Sequence, residues 1–293
     1  MERRRIVPIA SVNDIRLHYE VLGAGEPVVL VSAAGASGRS WLIHQGPALL
    51  ESGYQVCVYD SRGIPPSDEC LGGFAIEDLV SDLAALLEFL DCGPARLVGT
   101  SMGAYVVQEL ALRRPELVRQ AVLMACRARS DVLRARLARA EVELGEAGVT
   151  LPPSYRAVVR ALQMLSPRSM EDEATISEWL ALLELAQPDG AGVRHQLALQ
   201  PMPDRRAAYA EIAVPCHVVS FAHDLVAPPM YGEELARCIP GATFDLVADA
   251  GHFGYLERPE VVNRIITQYF ASNDARVGGE ASTRGGGRRR VAD

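Results

Sequence analysis

A chain of 293 residues, 49% hydrophobic and 23% charged, is long enough to bury a large core as one α/β domain or two smaller ones. Its net charge of −8 argues against nucleic acid as the main partner, and no apolar run approaches the ~20 residues of a membrane helix. Six scattered cysteines without a CxxC pair read as buried free thiols, and no metal or organic cofactor is signalled.

The start, "MERRRIVPIASV", lacks an apolar h-region and a cleavage site, so it reads as a cytoplasmic start running into a strand. "IRLHYEVLG" alternates as a half-buried strand does. "EPVVLVS" and "YQVCVYD" are short apolar runs on either side of a helical pattern at 40–51. A helix at 75–91, the strand "ARLVGT", a helix at 102–114 and the strand "RQAVLMA" follow. This alternation predicts βαβ units and a mostly parallel sheet.

The alternation then breaks. Residues 127–210 contain no convincing strand, while Leu133, Leu137, Ala140 and Leu144, and again Ile176, Trp179, Leu180 and Leu183, repeat at helical spacing. Pro152–Pro153 and Pro167 separate the pieces. Such an insertion is expected to form a helical cap over the carboxyl ends of the strands, where open α/β sheets bind ligands. The strand–helix pattern resumes with "PCHVVSFA", a helix at 228–238, "ATFDLVA" and a helix at 257–273. The expected layout is a core from 1–126 and 211–273, a cap at 127–210 and a disordered glycine- and arginine-rich tail at 274–293.

One short stretch carries chemistry. Gly99-Thr100-Ser101-Met102-Gly103 fits G-x-S-x-G between a strand and a helix, the setting of a nucleophile elbow. A serine hydroxyl needs a base, and the base needs an acid to fix its tautomer. Downstream, Asp224 follows one strand and His252 follows the last strand. His18 and His217 fall on strands, His44 on a helix, His195 in the cap, and His223 beside Asp224 reads as a loop side chain.

These segments resemble the α/β-hydrolase superfamily over roughly residues 5–272. "AGHFGYLERPEVVN" is similar to its histidine loop, and "YDSRGIPPSD" to its D-x-R-G-x-G-x-S turn, with Asp60, Arg62, Gly63 and Ser67 in register. The resemblance implies an eight-stranded, mostly parallel sheet flanked by helices, with the cap inserted after strand six. It implies Ser101 as nucleophile, His252 as general base then acid, and Asp224 as the residue orienting His252. Asp131 and Asp249 are the alternative acids. Asp60 and Arg62 are read as a structural turn network.

The chain also departs from the pattern. Where many relatives carry His-Gly, it has Ser32-Ala33-Ala34-Gly35, with a spacing similar to that of enol-lactonases. The expected oxyanion donors are the backbone N–H groups of Met102 and of Ala33 or Ala34. Trp179 and Met102 are the expected substrate-binding side chains, in a largely apolar pocket. Arginines 127, 129, 134, 136 and 139 read as a solvated helix face, with binding of an acidic substrate or a carrier-linked thioester as the alternative. The expected activity is hydrolysis of a small ester, lactone or thioester through an acyl-enzyme, in natural-product or aromatic metabolism. A lyase of the same fold and a non-hydrolytic ligand receptor are the rivals.

Overall fold

The computed structural model describes residues 8–185, 190–199 and 201–284. Eight strands form one sheet in the order β1-β2-β4-β3-β5-β6-β7-β8. They are β1 (Ile9–Val12), β2 (Ile15–Leu22), β3 (Pro27–Val31), β4 (Gln55–Tyr59), β5 (Ala95–Thr100), β6 (Val118–Met124), β7 (Cys216–Phe221) and β8 (Thr243–Val247). β1 and β2 pair antiparallel, as do β2 and β4, and every later pairing is parallel.

Both faces of the parallel part are covered, which is why its strands read as continuous apolar runs. Alternate residues go to opposite sides. Val29, Val31, Leu97, Leu123 and Val218 pack with Leu83 and Leu87 of α2 (Ile76–Phe89) and with Val107 and Leu110 of α3 (Met102–Arg113). Val28, Leu30, Val98, Val122 and Val219 pack with Trp41, Leu49, Val262 and Phe270 on the other face. Leu49 lies on α1 (Gln45–Glu51), and Val262 and Phe270 on the closing helix Pro259–Arg284.

The helix expected at 40–51 is two pieces, a 3-10 turn at Gly38–Leu42 and then α1. Pro47 explains the restart, because proline sits without cost in the first turn of a helix but not in its interior. The closing helix runs to Arg284, beyond the expected 273 and into the stretch read as disordered; residues 285–293 of that stretch lie outside the described residues.

Between β6 and β7 the chain forms α4 (Val132–Glu146), α5 (Pro153–Met164), α6 (Pro167–Glu171), α7 (Glu173–Leu185), α8 (Ala191–Ala198) and α9 (Arg206–Tyr209). Among the described residues the insertion holds no strand. It has a small core of its own, in which Ala157, Ala161 and Leu165 meet Leu183 and the flank of Trp179.

Candidate active site

Ser101 follows β5 and precedes α3, with φ 55° and ψ −119°. A non-glycine residue there is strained, a state that persists only when its surroundings over-determine it. They do. The Ser101 N–H donates to the Met124 carbonyl at 3.0 Å, and the Ser101 carbonyl accepts from Tyr105 N–H at 3.1 Å. A Cβ on Gly103 would stand 2.1 Å from the Val31 carbonyl oxygen, and one on Gly99 would stand 2.6 Å from that of Gly103. Both glycines are therefore demanded by backbone against backbone.

His252 sits in the loop after β8. A Cβ on Gly251 would lie 2.5 Å from the Met164 carbonyl oxygen, and Phe253 N–H donates to that same oxygen at 3.0 Å. Glu257 fastens the loop further, accepting from Gly251 N–H at 2.6 Å and from Ser166 N–H at 2.8 Å. The histidine is thus held by the end of α5 as well as by its own loop.

The structure brings Ser101, His252 and Asp224 together in one hydrogen-bonded chain. Asp224 Oδ2 accepts from His252 Nδ1 at 2.8 Å, and Ser101 Oγ stands 3.1 Å from His252 Nε2. A carboxylate can only accept, so the proton lies on Nδ1 and Nε2 is left to accept from the serine hydroxyl. The other Asp224 oxygen accepts from Val226 and Ala227 N–H at 2.8 and 2.7 Å, which fixes the carboxylate in its turn. Asp224 and His252 are buried, at 2% and 5% exposure.

The alternative acids are engaged elsewhere. Asp131 caps α4, accepting from Arg134 N–H at 2.8 Å, and Asp249 pairs with Arg168 at 3.1 Å. His18 donates toward Asp60 at 2.6 Å, and Asp60 also accepts from Gly38 N–H at 2.8 Å. Arg62 forks onto Asp82 with two bonds of 2.6 Å. These contacts make the Asp60–Arg62 turn a scaffold. His195 packs edge-on against Phe74, their ring centroids 5.7 Å apart, away from Ser101.

Met102 is the first residue of α3, so its N–H has no partner within the helix. Ala33 and Ala34 line the cavity beside Ser101 and His252. Their loop is tied to the insertion by Gln196, which accepts from Gly35 N–H at 2.8 Å and donates to the Arg62 carbonyl at 2.7 Å. Sequence reasoning missed Gln196; a glutamine on a short helix gives no local sign that both its ends are used.

The cavity over Ser101 has a volume of about 450 Å³, a size suited to a small molecule. Its lining corrects two expectations. Trp179 does not line it; its indole stacks behind Phe253 at 6.0 Å between centroids, and Phe253 takes the place on the wall. Met102 faces a smaller hollow beneath Ser101 that it shares with Tyr105 and Met202. The wall is mostly apolar, as expected, but Arg127, Arg134, Arg156, Arg160 and Arg194 also reach it. Of the arginines noted after β6, Arg127 and Arg134 reach the cavity. Arg129 and Arg139 bind Glu234 and Glu143 outside it, and Arg136 is exposed. Burial pulls the Arg127 guanidinium below its usual range, opposed by the nearby Asp224 charge. Among the described residues no cluster of three or more metal-ligating side chains occurs, and no helix is long and apolar enough to cross a membrane.

A doubly covered parallel sheet, an elbow serine and a late histidine loop define an α/β hydrolase. The chain belongs to the alpha/beta hydrolase family, whose model matches residues 28–265. It is 43% identical over 259 residues to a Mycobacterium tuberculosis H37Rv protein that carries the name non-heme bromoperoxidase BpoC, covering 88% of this chain and 98% of that one. The crystal structure of BpoC superposes with a TM-score of 0.85 at 40% identity, covering 93% of this chain and 99% of that chain. The chain is also 28% identical over 256 residues to 3-oxoadipate enol-lactonase 2 of Acinetobacter baylyi, covering 87% and 93% of the two chains. With relatives so named, the protein is an enzyme of the α/β hydrolase class.

Proposed function

We propose that the protein is a serine hydrolase acting on a small ester, lactone or thioester. One observation carries the reading: the continuous chain from Ser101 Oγ through the His252 ring to Asp224 at the floor of a cavity. In this reading His252 Nε2 takes the hydroxyl proton as Ser101 attacks the substrate carbonyl. The developing oxyanion is met by the N–H of Met102 and that of Ala33 or Ala34. Imidazolium, steadied by Asp224, then protonates the leaving group. Water, activated by the same histidine, releases the acid and frees the serine. No step calls for a metal or an organic cofactor. The relative named as an enol-lactonase supports a carbonyl substrate.

Turnover of 4-nitrophenyl acetate in ¹⁸O-labelled water tests the proposal. Hydrolysis places one labelled oxygen in the acetate, and Ser101→Ala abolishes the reaction. Turnover that survives in Ser101→Ala overturns the assignment. A lyase that only expels a carboxylate by elimination has no such route on this aryl ester and would leave it unchanged.

A further inference from the structure

The cavity carries more positive charge than acyl transfer needs. Arg156 and Arg160 stand one turn apart on α5, and both line the cavity together with Gln163 and Met164 of the same stripe. A neighbouring stripe of that helix, Ala157 and Ala161, is locked into the insertion's own core, so the arginine-bearing face is held toward the cavity. Among the described residues, neither guanidinium donates a hydrogen bond or lies at ion-pair distance from a carboxylate, and Arg156 Nε is buried without a partner. Arg160 lies over the Phe253 ring, 5.7 Å from its centroid, and Phe253 adjoins His252 in sequence and in space.

Among the described residues that line the cavity, Glu141 is the one acid. Burial pushes its carboxyl above the usual range and pulls Arg160 below its own, and each charge partly offsets the other's shift. An enclosed guanidinium without an anion is costly, and a carboxylate is the planar acceptor that its fork fits. The nearby Glu141 reduces the net positive charge, which suits a monoanion better than a phosphate dianion.

We propose that the substrate carries a carboxylate remote from its reacting carbonyl, and that Arg156 and Arg160 hold this group while the acyl carbon sits at Ser101. This rests on the hydrolase reading above and adds its specificity element. The two arginines bind and orient; they take no part in bond making.

Two esters of equal chain length test it, mono-4-nitrophenyl adipate and 4-nitrophenyl hexanoate. The adipate ester is expected to be preferred in kcat/KM by roughly tenfold or more, mostly through KM. In Arg156→Gln and Arg160→Gln that ratio falls toward one, and Arg160→Lys restores part of it. Calorimetry on Ser101→Ala supplies a readout free of chemistry: adipic acid monoamide is expected to bind roughly tenfold tighter than hexanamide. Equal binding of these two amides overturns the carboxylate site even if Ser101 is the nucleophile, and this arm stands should an arginine variant fail to fold. Charge-selective binding together with Ser101-independent turnover would keep the site and overturn the hydrolase reading.

Discussion

At Ser101 the backbone is bent so that the side chain stands clear of both the strand and the helix. The strain, of about 1–3 kcal/mol, is held by close contacts on either side. Gly103→Ala is expected to lower stability by at least about 3 kcal/mol in urea unfolding, since a methyl there would be driven into the Val31 carbonyl. Asp224→Asn keeps the packing but reverses what Nδ1 can donate to. A fall in kcat of about 10⁴ with KM nearly unchanged is expected, measured by steady-state kinetics. The positions of Ser101, Asp224 and His252 just beyond strand ends were legible because the signals are local, small residues around a kink and apolar runs before each loop, whereas their roles came from the resemblance. Trp179 was misread for the converse reason. A helical aromatic is equally at home behind a cavity wall or on it, and only the packing of Phe253 decides.

Among the elements, the strands were legible nearly to the residue, as with "ARLVGT" and β5 (Ala95–Thr100). β1 as a separate strand was not, being four residues long and joined to β2 by Asn13 and Asp14, both at positive φ without a glycine to mark the turn. The faces of the insertion were illegible as well. Arginines one turn apart look alike whether they meet water or a cavity, so Arg156 and Arg160 gave no signal. The turn after β4 makes a sharper claim. Its Arg62 is buried against Asp82 of α2, so Asp82→Ala leaves an unpaired guanidinium and is expected to cost about 3–5 kcal/mol in chemical denaturation. Gln196 joins α8 to the Ala33–Ala34 loop. Replacing it with leucine strands the Gly35 N–H and should reduce kcat roughly tenfold by loosening that loop, with substrate binding less affected.

The whole molecule brings together residues from the first third of the chain, its middle and its end at the carboxyl ends of the strands. That convergence follows from the parallel order of β3 through β8, which places the loops after β3, β5, β7 and β8 on the same side. The same enclosure sets the fate of the thiols. Cys57 and Cys216 are pushed up to about 12 by burial, and Cys126 is buried and pushed up too. At pH 8, Ellman's reagent is expected to find at most Cys70, Cys92 and Cys238 in the folded protein, and all six cysteines after guanidinium treatment. Activation of the serine has its own readout in covalent labelling with a fluorophosphonate, followed by mass spectrometry of the modified peptide. The expected result is a single adduct on Ser101 that disappears in His252→Ala. A wild-type protein left unlabelled at Ser101, or one labelled there just as fast without His252, would contradict the account.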